Sequence, residues 1–174
     1  MYSNKSNDTM ILAIDVGYRQ ENAIAAAVVF NTWQDSEPVA IVHSKIDTVA
    51  EYESGQFYKR ELPCVLALLQ QHQLKPKTIV IDGFVSLDAG KPGLGMHLFE
   101  ALNKQVPIVG VAKTAFKESG PELEVLRGDS ARPLFVTAVG IELEEAKQNI
   151  LSMHGKHRIP TLLKRVDRES RIDI

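Results

Sequence analysis

Three apolar runs near the start of the chain constrain its fold more than any other feature. Residues 10–15 and 23–30 are rich in Ile, Val and Ala and flank the turn-like segment GYRQEN, which predicts a β-hairpin. The segment PVAIVHSKI, residues 38–46, predicts a third strand. Because short connections join antiparallel neighbours, we expect these three strands to form an antiparallel meander.

The remainder of the chain alternates between helical and strand-like patterns. Apolar residues between Phe57 and Leu69 recur at helical spacing, which predicts a first helix with Pro63 in its first turn, where proline is tolerated. The later patterned segments are, in order, KTIVIDGF, LGMHLFEALNKQ, PIVGVAK, RPLFVTAV and ELEEAKQNILSM. The order is β-β-β-α-β-α-β-α, with a strand between residues 124 and 138. It predicts an α/β fold of the ribonuclease H-like class, a mixed sheet of an antiparallel meander plus parallel strands, flanked by helices.

Length, charge and cysteine content limit the class of protein. The 174 residues suit a single domain, which we place at 10–174 after a disordered N-terminus at 1–9. The net charge of -2 leaves any polyanionic partner dependent on a local basic patch. The lone Cys64 lies in an apolar run, which favours a buried free thiol in a reducing compartment. No apolar stretch is long enough to cross a bilayer, so we expect a cytoplasmic protein without a membrane partner and leave its oligomeric state open.

Two acids lie where predicted strands end. Asp15 interrupts the first apolar run, and Asp82 ends the strand KTIVID. A parallel crossover places such strands side by side, and Glu61 at the start of the first helix could face both acids. Three clustered carboxylates suit a hard cation such as Mg²⁺ or Mn²⁺. The alternative is that the two aspartates form turns and that Glu61 interacts with the helix dipole, and the spacing alone does not choose between these interpretations.

Five blocks of sequence, in order, resemble the endonuclease V family. They are AIDVGYRQENAIAAAVVF, YESGQFYKRELP, IDGFVSLDAGKPGLGMHL, PIVGVAK and HRIPTLLKRVDRESR. The resemblance covers nearly the whole chain from Met10. It implies a metal-dependent endonuclease, a phosphodiester hydrolase of DNA repair, which cuts DNA or RNA near deaminated, inosine-type bases.

The resemblance also implies roles for individual residues. Asp15, Glu61 and Asp82 match the family's catalytic carboxylates, which bind Mg²⁺ or Mn²⁺. Lys113 in GVAK matches the catalytic cation that neutralises the phosphate. In addition, Tyr52 matches the aromatic wedge that enters the nucleic acid beside the lesion, and Gly83 matches a substrate-binding position.

Three departures from the family pattern affect the functional hypothesis. The wedge segment 51–54 has two glutamates and a serine in place of the flanking prolines, and Asp88 replaces a histidine after the third carboxylate. The segment TAVG, residues 137–140, replaces Ser-Pro-Gly-His, so we expect both imidazoles near the scissile phosphate to be missing. A nuclease without inosine specificity and a non-catalytic nucleic-acid-binding homologue therefore remain alternatives. We expect His97, on the second helix, to make a core or interhelical contact.

Overall fold

The computed structural model describes residues 9–47, 58–87, 90–117 and 119–174. Within these ranges the chain forms seven strands, four α-helices and a short 3-10 helix at Pro121–Leu123. The strands are β1 Ile11–Tyr18, β2 Ala23–Phe30, β3 Ala40–Ile46, β4 Thr78–Asp82, β5 Ile108–Ala112, β6 Glu124–Val125 and β7 Leu134–Val139. The helices are α1 Tyr58–Gln71, α2 Leu94–Ala101, α3 Leu143–Ser152 and α4 Thr161–Glu169. Among the described residues, none of these helices has the length and apolar character needed to cross a membrane.

All the described strands belong to one mixed sheet in the order β3-β2-β1-β4-β5-β7-β6. The meander β1-β2-β3 is antiparallel, and the Arg19 amide donates to the Asn22 carbonyl at 2.7 Å in the predicted hairpin turn. Strands β1, β4 and β5 run parallel, whereas β7 pairs antiparallel with both β5 and β6. This is the ribonuclease H-like arrangement that the order of sequence patterns predicts.

Each face of the sheet carries its own apolar core. Side chains such as Leu12 and Ile14 of β1 pack with α1 and α2, where Cys64 is a buried free thiol as predicted. Ile11, Ala13 and their neighbours on the other face pack with α3 and α4. Strand β2 is buried along its whole length because both of its faces are covered, which explains its continuous apolar sequence.

Two sequence predictions about the helices are wrong. Pro63 lies inside α1 and not in its first turn, because the helix already includes Tyr58. The predicted order also ends one helix too early, since α4 follows α3 after a loop containing Pro160. The sequence TLLKRVDRE has many charged side chains, and its apolar stripe is only a narrow one around Leu162 and Val166.

The end of α4 lies unusually close to β1. An added Cβ atom on Gly17 would stand 2.1 Å from the carbonyl oxygen of Ser170, which is the residue after α4. Ser170 is itself buried, and its hydroxyl donates to Asp15 Oδ2 at 3.3 Å. The missing side chain of Gly17 therefore allows α4 to approach the centre of the sheet.

We expect Gly17→Ala to destabilise the protein by about 1 to 3 kcal/mol, because backbone must move to admit the methyl group. Gly120→Ala is the matched control. The three atoms nearest its new Cβ all belong to the flexible carboxylate of Glu122, which can move aside, so a change within about 0.5 kcal/mol is expected. Urea denaturation of the three proteins measures both values, and equal stabilities would contradict the close contact at Gly17.

Candidate active site

Asp15 and Asp82 lie side by side where the pairing of β1 and β4 ends. The last paired residues of these parallel strands are Ile14 and Ile81, so each aspartate comes directly after them. Alternate residues of a strand point to opposite faces. Asp15 therefore points to the same face as Ala13, and Asp82 to the same face as Val80, the residue paired with Ala13. Both carboxylates therefore project toward α4, and both line the same cleft.

Lys113 joins this edge from the neighbouring strand. It directly follows β5, it is exposed, and it lines the cleft with Asp82. Partial enclosure raises the pKa of the Asp82 carboxyl from its usual range, although one side of it faces solvent. The charge of Lys113 acts in the opposite direction and lowers this pKa. The two side chains thus interact electrostatically at the ends of adjacent strands.

Glu61 approaches the two aspartates from α1, on the other face of the sheet. It lies in the first turn of the helix and is only 4% exposed. Its Oε2 atom is buried and has no hydrogen-bond partner among the described residues. The adjacent Arg60 does not neutralise it, because that guanidinium lies over the Tyr18 ring at 3.9 Å from the ring centroid. Burial, then the charges of Asp15 and Asp82, raise the pKa of Glu61 to about 8.

Asp15 is held in place by its own backbone and by α4. Its Oδ1 accepts the Val16 amide at 3.0 Å. Burial raises the pKa of Asp15 to about 7, with a further contribution from the charge of Asp82. The amide hydrogen bond opposes this shift, whereas the nearby Asp167 carboxyl increases it. Asp15 therefore resists ionisation, chiefly because it is buried and also because the Asp82 and Asp167 carboxyls lie nearby.

Asp167 is the functional candidate that the sequence reasoning missed. It lies on α4, lines the cleft with Asp15 and Asp82, and pairs with Arg171 at 3.1 Å. A signal for it was available in the sequence. Leu163 lies four residues before Asp167 within α4 and also lines the cleft, so helical spacing places the two side chains on the same face of the helix.

Only part of the donor chemistry for a metal ion is in place. The described residues contain no group of three or more His, Cys, Asp or Glu side chains already positioned to ligate one ion. The cleft volume is about 30 Å³, room for an ion or a water molecule but not for a nucleotide. Nevertheless, the carboxylates offer only oxygen donors, and Glu61 Oε2 lacks a partner among the described residues. This donor set fits a hard divalent cation.

Gly83 follows Asp82 and has an open approach. Its φ is 129°, and apart from its chain neighbours no atom of the described residues lies within 4 Å of an added Cβ, so the described part of the chain leaves the backbone open beside the carboxylate. A hydrogen bond connects the loop after Gly83 to β7, because the Val85 amide donates to Thr137 Oγ1 at 2.9 Å. Gly110 admits this contact, because its Cβ would lie 2.6 Å from the same oxygen.

The geometry corrects one inference from the family resemblance. The segment 137–140 runs along β7 opposite Gly110 to Ile108, away from the end of β5 that leads to Lys113. A histidine at its far end would not reach the carboxylates, so its absence removes nothing from this site. Tyr52 and Asp88 lie outside the described residues.

The remaining histidine prediction is confirmed. His97 of α2 stacks on Tyr58 of α1, with ring centroids 3.7 Å apart and an interplanar angle of 17°. This is the interhelical contact that the sequence predicts.

A buried arginine organises the wall of the cleft beside α4. Arg127 is 4% exposed and donates to four main-chain carbonyls of the segment that leads into α4. The acceptors are Met153 at 2.6 Å, Gly155 at 3.0 Å, His157 at 2.7 Å and Arg158 at 3.3 Å. Arg158 in turn donates to the carbonyl oxygens of Lys113 and Pro133. This network links the wall of the cleft to the end of β5.

The sequence profile of Endonuclease V matches residues 2–131. The chain belongs to the Endonuclease V family. This family consists of nucleases, which are phosphodiester hydrolases. The Endonuclease V of Streptomyces avermitilis is 29% identical over 180 residues, covering 90% of this chain and 77% of that protein. The Endonuclease V of Trichormus variabilis is 26% identical over 179 residues, covering 91% and 80%.

Solved Endonuclease V structures share the fold. The Streptomyces avermitilis enzyme superposes with a TM-score of 0.74 at 27% identity, covering 95% of this chain and 81% of that chain. The Ciona intestinalis Endonuclease V, in complex with a 24mer DNA containing an inosine followed by a ribo-adenosine, gives a TM-score of 0.77 at 22% identity. That alignment covers 94% of this chain and 84% of the Ciona chain, and at this identity it shows the fold alone.

We expect the metal-free protein to lose stability as the pH rises from about 4 to about 8. The unfolded chain releases the protons of Asp15 and Glu61 near pH 4, whereas the folded state retains them until pH 7 to 8, so ionisation favours unfolding. Denaturation in EDTA at several pH values measures the slope. Glu61→Gln should flatten it, and the exposed control Glu100→Gln should not. Identical slopes for all three proteins would contradict the raised pKa of Glu61.

We expect Arg127→Met to destabilise the fold by about 2 to 4 kcal/mol, because it leaves buried carbonyls without their charged donor. Arg132→Met, at an exposed position in the same region, serves as the control and should cost less than about 0.5 kcal/mol. The comparison uses thermal melts with urea titrations. A loss below about 1 kcal/mol for Arg127→Met would show that water replaces the guanidinium.

Proposed function

We propose that this protein is a divalent-metal-dependent endonuclease that hydrolyses a phosphodiester bond near a deaminated, inosine-type base in DNA or RNA. One observation carries the proposal. Asp15, Asp82 and Asp167 line one cleft at the end of the parallel strands, and Glu61 of α1 interacts electrostatically with the first two. Burial, with repulsion from neighbouring carboxylates, raises the pKa of Asp15, Glu61 and Asp82. The DNA in the Ciona Endonuclease V complex contains an inosine, which supports the choice of substrate.

Four carboxylates are the candidates to hold the metal. Asp15, Glu61 and Asp82 are the matches to the family pattern, and Asp167 joins them from α4. A bound Mg²⁺ or Mn²⁺ supplies charge neutralisation and Lewis acidity at the phosphate. The hydrogen bond from the Val16 amide fixes the orientation of Asp15, and α1 holds Glu61 away from water, so the donors are largely preorganised.

Lys113 and Gly83 act on the substrate side of the site. Hydrolysis forms a bond between a water oxygen and phosphorus and breaks the bond from phosphorus to the 3′ oxygen. Negative charge increases on the phosphoryl oxygens during this exchange, and the exposed ammonium of Lys113 is placed to stabilise it. The open backbone at Gly83 leaves room for the strand beside Asp82. Tyr52 is proposed as the wedge beside the lesion.

Cleavage assays with labelled strands test the proposal. Inosine DNA, inosine RNA and undamaged controls are incubated with Mg²⁺, with Mn²⁺ or with EDTA, and we expect nicking only of the inosine strands and only with metal. Equal cutting of undamaged strands would indicate a nuclease without inosine specificity. Binding without turnover would indicate a non-catalytic homologue.

Variants separate the chemistry from folding. We expect Asp82→Asn and Lys113→Ala each to lower the cleavage rate about 100-fold or more. The first removes the negative charge of a candidate metal ligand, and the second removes the positive charge that stabilises the reacting phosphate. The control Lys75→Ala, at the opposite end of the parallel strands, should cleave like the wild type. Asp82→Asn should melt at the wild-type temperature or above, since it removes one of the repelling charges. An unfolded Asp82→Asn protein would instead make Asp82 a structural turn residue.

A further inference from the structure

A groove lies beside the carboxylate cleft and shares a wall with it. Ile159 and Asp167 line both spaces. The groove has a volume of about 690 Å³, many times that of the cleft. Its walls come from α4, from the loop that precedes α4 and from the β2–β3 connection at residues 36–38. A molecule bound at the carboxylates can therefore continue into this groove.

The α4 wall of the groove is strongly basic. Lys164, Arg165, Arg168 and Arg171 line it, although the whole chain has a net charge of -2. Arg165 is neutralised by Glu169 at 2.9 Å, and Arg171 pairs with Asp167. Lys164 and Arg168 differ from these two. Both are exposed, and neither side chain forms an ion pair or hydrogen bond within the described part of the chain.

The two unpaired cations have a spacing that suits a chain of anions. Positions i and i+4 of a helix lie on one face, with Cβ atoms about 6 Å apart. The two charged groups therefore follow one another along the groove. Arg168 offers a planar fork that matches phosphate oxygens, and Lys164 offers a mobile point charge.

We propose that this groove binds the sugar-phosphate backbone of the substrate strand on one side of the scissile bond, with Lys164 and Arg168 contacting successive phosphates. The inference deepens the proposed function and rests on it. The groove extends the binding site beyond the few nucleotides that the carboxylates, Lys113 and Gly83 can contact. It contributes affinity that does not depend on base sequence.

Strands of different length test the groove directly. Binding is measured by fluorescence anisotropy in EDTA, with an inosine strand of a few nucleotides and with strands extended on the 5′ or the 3′ side. The variant is Lys164→Gln/Arg168→Gln, and the control is Lys75→Gln/Lys104→Gln at the opposite end of the sheet. We expect that either the 5′ or the 3′ extension lowers the Kd of the wild type and of the control about tenfold relative to the short strand. The variant should bind the extended strand no more tightly than the short one.

Salt dependence and kinetics add two independent readouts. Loss of two phosphate contacts should reduce the slope of log Kd against log salt by about 1.4 on the long strand. In cleavage assays the variant should have a raised KM on the long strand, an unchanged kcat, and wild-type behaviour on the short strand. Thermal melts should match among the three proteins, since both substituted side chains are exposed.

The outcomes distinguish the groove from the proposed function. Equal affinities for all strand lengths, or a variant that binds long strands like the wild type, would overturn the groove proposal while leaving cleavage intact. A variant impaired equally on short and long strands would place these cations at the carboxylates and also overturn it. If the wild type cleaves no strand, the proposed function fails, and the length dependence of binding still decides whether the groove holds a phosphate backbone.

Discussion

The close approach of the end of α4 to β1 is the contact on which the arrangement of the site depends. Gly17 has no side chain, and the carbonyl of Ser170 occupies the space that any other residue would fill. Only at this separation can the Ser170 hydroxyl reach Asp15 and Asp167 stand over the same cleft. The absence of a side chain at Gly17 thus allows α4 to bring Asp167 to the cleft.

The buried carboxylates of the site lower the stability of the fold when they are ionised. Each of Asp15, Glu61 and Asp82 has a raised pKa, chiefly because burial disfavours the charged form. The apolar cores on the two faces of the sheet provide the free energy that keeps these groups together. Charge repulsion among these carboxylates and the proposed affinity for a cation are therefore two consequences of one arrangement.

The sequence predicts the centre of the fold better than its end. The apolar runs of β1 and β4 and the acids at their ends follow from strand patterning, and parallel pairing then makes Asp15 and Asp82 neighbours. Helix α4 was missed because its apolar stripe is narrow and most of its residues are charged. Asp167 was missed with it, although its motif resembles the family's closing block.

Other features of the site depend on tertiary contacts that no local pattern contains. The four carbonyls around Arg127 belong to a loop, and an isolated arginine before a glycine has no distinguishing sequence signal. Similarly, the expectation about residues 137–140 was wrong because antiparallel pairing with β5 runs that segment away from the cleft. The direction in which a strand runs relative to its neighbours depends on the sheet and cannot be read from the sequence of the segment alone.

The bonds made by Arg127 also bear on how freely this region can diverge. Its guanidinium recognises only main-chain oxygens, so it fixes the path of residues 153–158 without depending on most of the side chains they carry. His157 and Lys156 are exposed, and the contact of His157 with Arg127 is made by its main-chain carbonyl. The loop can therefore exchange its surface chemistry between relatives while the cleft behind it keeps its shape.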